Sequence, residues 1–598
     1  MMPSLQAQLI RMHEANQFEP FITHIRFPKY KNLQPNTRID FKHPITVLVG
    51  ANGTNKSSIL RALYGVPDYS NLGMLWFSTS IDPIEEGDGE RNCFIYGHFN
   101  QEAKRVTEVL KIRIKKDNDP DYWEPSRPYA KYGMEMVPRA GERQPGAGKT
   151  RWNPIKKAMT YVDFRASLSA FDKFFYYGEL KDKNASQKGK KDFIRTRAPH
   201  LKRAADDGLT TFSYRKNERI VNGENKLLNK NELEAVSSIL GREYSEIRLI
   251  RHRFYNADGY TARMRTADFS YTEAFAGSGE FSIVKLVSTV MKCEPCSLIL
   301  LDEPEVSLHP GAQERLMTFL GEQAKNHKHQ IVISTHSPAL LRSLPPQAIK
   351  VLAMDSATGQ IGVIRQEALP EEAFFHLGEP VGDKTRVVVE DRLAKAIVEK
   401  SLRTLGRATF GLFDITFYPG GCKTLWSFYI PIFAAENRDN IVVFLDGDQK
   451  PKDEDQFPNP DEIAQADDNN LADIILRATG VNVNFPVDGT AGNGNAQQRI
   501  DAQRRFIGWA KSRVGFMPGT TPEQFVWDKA PDAAKQGVDG KNYKEKFSKL
   551  TRKELGLADF EEVGADAILH TQKRLLSMID DNDRDLADLR DVLYGFLQ

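Results

Sequence analysis

The 598-residue sequence predicts an α/β protein with two domains. Short apolar strands recur along the chain and end abruptly in glycine or in acidic residues, as buried strands do. The clearest of these are Ile45–Val49, Leu298–Leu301, Arg386–Val389 and Ile441–Leu445. Because helix-forming runs lie between the strands, the alternation is that of an α/β fold and not of an all-β or all-α fold.

Length and composition set broad limits. A chain this long exceeds one hydrophobic core and should form two to four domains. Its hydrophobic content of 40% and charged content of 27% are ordinary for a globular protein. Lys plus Arg total 82 against 80 for Asp plus Glu, a balance that neither requires nor excludes nucleic acid.

The sequence also predicts a cytoplasmic protein. No apolar run is long enough to cross a membrane, and residues 1–14 lack the apolar core of a signal peptide. Four cysteines in the whole chain argue against a disulfide framework. Cys293 and Cys296 form a C-x-x-C pair without a second pair, which favours two core thiols over a metal or redox site.

The domain boundaries follow from changes in pattern. Residues 1–375 form the first predicted domain, within which the regular pattern loosens over approximately 101–241 and indicates an insertion. A linker is predicted over 366–383, and a second domain over 384–598 with a helical C-terminal region. Within the insertion, the segment 181–203 carries nine Lys or Arg, which is either a solvated loop or a contact to a phosphate backbone.

The segment Ile45–Ser58 indicates a phosphate-binding loop. An apolar strand runs into a glycine-rich turn and then into a helix-forming run, where backbone N–H groups and the helix dipole favour an anion. Lys56 would reach the β- and γ-phosphates of ATP, and Ser57 would hold Mg²⁺. The predicted loop residues are Gly50, Asn52, Gly53, Asn55, Lys56, Ser57 and Ser58.

Asn55 departs from the G-x-x-x-x-G-K-[ST] pattern, since it stands where the second glycine is expected. Asn tolerates a left-handed backbone better than other non-glycine residues, so the turn can form. The sequence therefore predicts nucleotide binding and leaves open whether hydrolysis is fast.

Two later strands end in polar groups suited to the same site. Leu298–Leu301 is followed by Asp302 and Glu303, which would reach the Mg²⁺ shell and the attacking water. The strand that ends at Thr335 delivers His336, a candidate γ-phosphate sensor, and Ser278 and Gly279 begin a further helix suited to an anion.

The order of these motifs resembles the ATP-binding-cassette ATPases of the SMC-like kind, in the branch without long coiled coils. The resemblance covers roughly residues 20–365. It implies that Ser278 and Gly279 face the nucleotide held by Lys56 of a second copy. ATP would then lie between two protomers of a homodimer or higher homo-oligomer.

The second predicted domain has its own acidic site. Glu390 follows one apolar strand, and Asp446-Gly-Asp448 follows another, where the D-x-D spacing puts both carboxylates on one side of an extended chain. This combination resembles a Toprim domain, which implies that Glu390, Asp446 and Asp448 hold Mg²⁺ or Mn²⁺, with Glu523 as a further ligand. Asp391 and Ala394 depart from the family pattern.

An SMC-like ATPase followed by a Toprim domain is similar to the OLD (overcoming lysogenisation defect) family and to Gabija-type and retron-associated nucleases. The resemblance implies a nucleotide-regulated, metal-dependent DNA nuclease that serves anti-phage defence, alone or beside a partner protein or a retron reverse transcriptase with its DNA. The alternative is an ATP-gated sensor or scaffold with a degenerate Toprim site. A primase or topoisomerase is not supported, because the sequence shows neither a zinc-binding cysteine set nor an obvious context for a nucleophilic Tyr.

Overall fold

The computed structural model divides the chain into two compact units, residues 1–379 and 380–598. No described helix is long and apolar enough to cross a membrane. The structure describes residues 3–86, 90–137, 144–166, 168–180, 187–378, 384–451, 457–458, 460–485, 495–535, 537–558 and 560–597.

The first unit contains seventeen described strands and nine described helices. The strands are β1 Ile22–Lys29, β2 Thr37–Asp40, β3 Ile45–Val49, β4 Cys93–Asn100, β5 Arg105–Lys116, β6 Asp119–Ser126, β7 Met159–Asp163, β8 Ser213–Tyr214, β9 Asn217–Glu218, β10 Ile220–Leu227, β11 Glu246–His252, β12 Gly259–Arg265, β13 Ser270–Thr272, β14 Leu298–Asp302, β15 Gln330–Thr335, β16 Ile349–Met354 and β17 Ile361–Arg365. The helices are α1 Pro3–Glu14, α2 Lys56–Tyr64, α3 Ala170–Phe175, α4 Gln187–Asp206, α5 Lys230–Leu240, α6 Ser278–Val290, α7 Pro310–His327, α8 Pro338–Leu341 and α9 Pro370–Leu377.

A six-stranded sheet positions the first site. Its order is β17-β16-β3-β15-β14-β7, with β17 antiparallel and the other strands parallel. The strands β3, β14 and β15 are buried along their whole length, which explains their predominantly apolar sequences. Because they are parallel neighbours, their carboxyl ends meet at one edge.

The residues of the predicted insertion belong to three different parts of the first unit, namely two sheets and a separate hydrophobic cluster. The strands β5 and β6 extend an antiparallel sheet of order β2-β1-β4-β5-β6, whereas β7 is the edge strand of the six-stranded sheet. The helices α3 and α4 pack with β10 and β11 in a separate hydrophobic cluster. A single insertion over 101–241 is therefore wrong, because β7 carries part of the central sheet.

The predicted linker also contains regular structure. Residues 370–377 form α9, whose Pro370, Glu372 and Ala373 are buried. The Glu372 carboxylate accepts a hydrogen bond from the backbone N–H of Leu369 at 2.9 Å, which fixes the start of the helix. Residues 379–383, which complete the predicted linker, lie outside the described ranges.

The second unit has a four-stranded parallel sheet of order β19-β18-β20-β21. Its strands are β18 Thr385–Val389, β19 Phe413–Phe417, β20 Ile441–Leu445 and β21 Val514–Phe516. Its helices are α10 Arg392–Arg403, α11 Arg407–Phe410, α12 Gly421–Thr424, α13 Ile430–Ala435, α14 Pro460–Gln465, α15 Asp468–Thr479, α16 Ala496–Arg513, α17 Pro522–Lys529, α18 Tyr543–Leu555, α19 Ala565–Ser577 and α20 Arg584–Gly595.

Candidate functional site

The glycine-rich loop joins β3 to α2 at the carboxyl edge of the six-stranded sheet. Asn55 caps α2 with φ 61°, the left-handed conformation expected of it, and its side-chain amide donates to the Asn32 side chain. Gly50 is sterically required, because a Cβ there would lie 2.4 Å from the Leu352 carbonyl oxygen. Asn52 and Gly53 are exposed in the turn.

Lys56 is buried at the first position of α2. Its ammonium donates to the carbonyl oxygens of Gly50 at 2.8 Å and Ala51 at 3.0 Å. Burial lowers the pKa of Lys56 to about 8, against the opposing effect of Glu303 and other nearby carboxylates. Ser58, also predicted as a loop residue, accepts a hydrogen bond from the Lys31 ammonium at 2.8 Å.

Asp302 is the centre of the site. It is fully buried at the end of β14, and its Oδ1 accepts from the Ser57 hydroxyl at 2.8 Å and from the Ser334 hydroxyl. Its Oδ2 accepts from the Tyr161 hydroxyl at 3.0 Å and from the Arg165 guanidinium at 3.1 Å. Both oxygens of this buried carboxylate are therefore satisfied by the protein itself.

Sequence reasoning missed Tyr161 and Arg165, which flank the end of β7. The alternation of residues 159–163 is a strand signal, but it lies inside the segment that was predicted as an insertion. Only the parallel pairing of β7 with β14 brings these donors to Asp302.

Glu303 and His336 follow the ends of two neighbouring strands. Glu303 has a positive φ of 53°, and its backbone N–H donates to the Ser334 carbonyl at 3.0 Å. The His336 ring nitrogen Nε2 lies 3.7 Å from the Glu303 carboxylate, and burial and the Lys56 charge lower the pKa of His336. A non-glycine residue held in this backbone region is a feature of functional sites.

Ser278 and Gly279 lie elsewhere, at the first turn of α6. Ser278 is exposed, and the helix N-terminus has no side-chain cap. Gly279 is buried, and a Cβ there would lie 2.4 Å from the Ser307 carbonyl oxygen, so a larger residue would not fit. Within the described residues, no hydrogen bond links Ser278 to the glycine-rich loop of the same chain.

The second acidic site lies at the carboxyl edge of the four-stranded sheet. Glu390 follows β18, and its Oε1 accepts a hydrogen bond from the backbone N–H of Asp446 at 2.8 Å. Burial, and after it the negative charges of the nearby acids, raise the pKa of Asp446 to about 8; these acids are Glu390, Asp391, Asp448 and Glu523. Burial also raises the pKa of Glu390.

The D-x-D segment is not extended, so this prediction is wrong. Residues 447–449 form a 3-10 turn, and this turn lies so close to the 517–520 segment that a Cβ at Gly447 would be 1.7 Å from the Gly519 carbonyl oxygen. The backbone N–H of Asp448 donates to the Thr520 carbonyl at 2.7 Å. This close approach brings α17, which carries Glu523 in its first turn, to the same edge of the sheet.

The carboxylates of this edge differ in their surroundings. The Oδ1 atom of Asp446 is buried and has no hydrogen-bond partner among the described residues. Asp448 is exposed, and Glu523 is 9% exposed with the Lys544 ammonium 4.0 Å from its Oε1. In their present side-chain conformations, no three His, Cys, Asp or Glu residues in the described part of the chain form a metal-ion site.

Asp391 has a structural role. Its carboxylate caps α10 by accepting from the backbone N–H groups of Leu393 at 2.9 Å and Ala394 at 2.8 Å. Glu399 pairs instead with Lys395 at 3.9 Å and Arg403 at 3.5 Å along the same helix.

The basic segment is only partly described. Lys181 and Lys183 lie outside the described residues, and the Lys188 side chain is not described. Arg197 is 9% exposed and stacks 3.3 Å from the Phe193 ring centroid, so it belongs to the packing of α4. Lys190 donates to the Phe175 carbonyl at 3.0 Å. Four basic side chains of α4 are exposed, namely Lys191, Arg195, Lys202 and Arg203.

Comparison with known proteins links the first unit to nucleoside-triphosphatases. Residues 267–342 match the family model described as AAA domain, putative AbiEii toxin, Type IV TA system. This segment contains Ser278, Asp302, Glu303 and His336 but not the glycine-rich loop. Protein ea59 of Escherichia phage lambda is 36% identical over 109 residues, which are 18% of this chain and 18% of ea59.

Two solved structures are similar to part of the chain. The SMC head domain from Thermotoga maritima is 14% identical, with 58% of this chain and 99% of that chain covered and a TM-score of 0.30. The Smc head domain with an extended coiled coil, bound to the C-terminal domain of ScpA and derived from Pyrococcus furiosus, is 12% identical, with 60% and 98% covered and a TM-score of 0.34.

The glycine-rich loop, the buried Asp302 and the AAA-domain match together support an ATPase of the AAA type in the first unit.

Proposed function

We propose that this chain is a nucleotide-regulated, divalent-metal-dependent DNA nuclease of the OLD kind, acting in the cytoplasm as an anti-phage defence effector. The first unit binds ATP and Mg²⁺, and the second unit is a Toprim domain that hydrolyses phosphodiester bonds. The matched family's description as a putative AbiEii toxin is in keeping with a defence role.

The main support for the proposal is the environment of the Asp446 carboxylate. Its carboxylate lies half-buried at a sheet edge beside four other carboxylates, and one of its oxygens is without a partner in the described chain. Burying a carboxylate next to other carboxylates costs free energy, and a hard cation bound among them offsets that cost. A surface cluster of acids would spread into solvent instead.

The donor set fits Mg²⁺ or Mn²⁺, which both prefer carboxylate oxygens. Glu390, Asp446, Asp448 and Glu523 would hold the ions, and side-chain rotation is the movement that brings them together. When bound, such ions activate water and stabilise the leaving oxygen of a phosphodiester. Glu390 keeps Asp446 in place through the Asp446 backbone N–H and is suited to hold a proton, since its pKa is raised.

The first unit would control the second through nucleotide. Lys56 and the loop N–H groups would bind the phosphates, Ser57 and Asp302 would hold Mg²⁺, and Glu303 and His336 would act at the γ-phosphate. Ser278 and Gly279 would complete the site of a second copy, which makes the protein a homodimer or higher homo-oligomer. The exposed position of Ser278 supports this arrangement.

DNA is the proposed substrate, and a defence-system partner is a further possibility for the exposed basic side chains of α4. Such a partner would be a protein or a retron reverse transcriptase with its DNA. Replacing the exposed basic residues Lys191, Arg195, Lys202 and Arg203 by Gln tests the nucleic-acid contact, and unchanged DNA binding at low salt would exclude it.

A second candidate is an ATP-gated sensor or scaffold with a degenerate Toprim site. Two observations favour it. Asp391 serves as a helix cap, and the described carboxylates do not form a metal-ion site in their present conformations.

Cleavage of plasmid and single-stranded DNA in Mg²⁺ or Mn²⁺, with and without ATP, separates the two functions. The nuclease requires that the wild type cuts and that Asp446→Ala does not. Asp439→Asn is the matched control, because Asp439 is an exposed acid at the opposite end of β20. Lys56→Ala then gives the direction of control by ATP. Equal cutting by wild type and Asp446→Ala would reject the Toprim site, and failure of every protein to cut would favour the sensor.

A further inference from the structure

A cavity lies in the first unit, between the β10-β11-β12 face and α6. Its volume of about 380 Å³ is in the range of small-ligand sites. None of the residues assigned to the nucleotide site lines it. The cavity is therefore separate from the glycine-rich loop.

One face of α6 forms a wall of the cavity. Lys285, Ser288 and Thr289 are spaced at three and four residues along α6, so they project to the same side, and Lys292 lines the cavity from the turn that follows the helix. The Lys285 ammonium lies 5.0 Å from the centroid of the Tyr260 ring. Among the residues that the structure describes, neither Lys285 nor Lys292 has a side-chain hydrogen bond or an ion pair.

Ser288 provides an independent sign of a missing ligand. The residue is 2% exposed, and its hydroxyl has no hydrogen-bond partner in the described chain. The neighbouring Thr289 hydroxyl bonds to the Lys285 carbonyl at 2.7 Å, as hydroxyls in helices commonly do. An unpaired buried hydroxyl is costly, so a ligand atom at Ser288 would remove a penalty.

The acidic residue of the cavity is already neutralised. The Glu224 carboxylate accepts from the Tyr260 hydroxyl at 2.5 Å and pairs with Arg251 at 3.2 Å. Lys226 in turn pairs with Glu232. The charges left over are those of Lys285 and Lys292. Burial and the nearby cations Lys173 and Arg251 lower the pKa of Lys285, an effect that an anion would reverse.

We infer that this cavity binds a small phosphate ester of about nucleoside monophosphate size. Lys285, Lys292 and the Ser288 hydroxyl would hold the phosphate, since two cations and a free donor match a dianion. Leu249 and the Tyr260 ring would contact the organic part, for which the cavity leaves room beyond one phosphate. The site does not depend on the proposed nuclease function.

Calorimetric titration of the full-length protein with adenosine 5′-monophosphate, ribose 5-phosphate and inorganic phosphate tests the inference. Both esters should bind saturably and more tightly than inorganic phosphate. Lys285→Gln should weaken ester binding about tenfold, as loss of a charge-assisted hydrogen bond does. Lys230→Gln is the matched control, because the Lys230 side chain is 87% exposed on a neighbouring helix. Ser288→Ala should weaken binding without unfolding the helix.

Three results would overturn the inference. Absence of ester binding is one, and binding that Lys285→Gln leaves unchanged is another. Binding that is lost in Lys56→Ala but kept in Lys285→Gln would assign the ester to the glycine-rich loop instead. Thermal unfolding of each variant shows whether a loss of binding reflects a loss of fold.

Discussion

The two acidic strand ends of this protein, Asp302 in the first unit and Asp446 in the second, have opposite surroundings. Asp302 accepts hydrogen bonds from three hydroxyls and a guanidinium. Asp446 faces other carboxylates and keeps one oxygen without a partner in the described chain. Burial of a carboxylate is stabilising with the first kind of neighbour and costly with the second, and the cation proposed for the second edge would offset this cost.

The largest expected effect of this difference is on the stability of the first unit. Asp302→Asn should lower the free energy of unfolding by about 2–4 kcal/mol, because charge-assisted hydrogen bonds from Ser57 and Arg165 are lost at a fully buried position. Differential scanning calorimetry measures the change. Asp268→Asn, at an exposed acid of the same unit, should leave the transition in place. An unchanged transition in Asp302→Asn would contradict the hydrogen-bond account.

Asp446→Asn should have the opposite sign in metal-free protein. The pKa of Asp446 is raised to about 8 in the folded state, so its contribution is full below its unfolded pKa of about 3.9 and is lost as pH rises through about 8. At pH 8 the substitution should stabilise the second unit by about 1–2 kcal/mol after allowance for solvent screening, and at pH 4 it should have little effect.

Addition of Mg²⁺ tests whether the Asp446 carboxylate binds the ion. It should raise the Tm of wild type at pH 8 and fail to raise that of Asp446→Asn, because the ion acts through the carboxylate. Asp439→Asn should respond to Mg²⁺ as wild type does. Equal responses in all three proteins would show that the ion binds elsewhere.

Lys56 differs from Asp446 in the direction of its pKa shift. The pKa of Lys56 is lowered to about 8, whereas that of Asp446 is raised to about 8. ATP binding requires the charged ammonium, which is lost as pH rises through the pKa of the free protein. ATP affinity should therefore fall by up to about tenfold for each pH unit above 8. Titration calorimetry over pH 7–10 measures this slope. Lys56→Arg, which keeps its charge, should flatten the profile, and an equally steep profile in that variant would exclude Lys56 as its source.

The smallest effect is expected from Asn55→Gly. Glycine fits φ 61° without strain, but the substitution removes the bond between the Asn55 and Asn32 side chains. These effects oppose each other, so stability should change by less than about 1 kcal/mol and ATP affinity by less than about twofold. A large rise in ATP hydrolysis would show that Asn55 restrains the loop.

Much of the local structure could be predicted from the sequence. The strand Ile45–Val49, the left-handed Asn55 and the helix that follows were all predicted from apolar runs and turn chemistry. The acids at the ends of β14, β18 and β20 were predicted in the same way. These features depend on residues adjacent in the chain, so local pattern is sufficient for them.

Other features could not be predicted because they depend on pairing between distant segments. The assignment of residues 101–241 to one insertion failed because β7 joins β14 across more than a hundred residues of chain. The extended D-x-D failed because Gly447 meets Gly519, a contact between two loops that no local signal records.

The sequence by itself determined which side chains are candidates for chemistry, since apolar strands that lead into a glycine-rich turn or into Asp and Glu are recognisable from local order alone. Only the tertiary structure decided the state of each group. Tyr161 and Arg165 stabilise Asp302 because β7 lies beside β14, whereas Asp446 meets other acids because β18, β20 and the 517–520 segment end at one edge. The electrostatic energy of a carboxylate depends on the neighbours that folding brings to it, and those neighbours are distant in the chain.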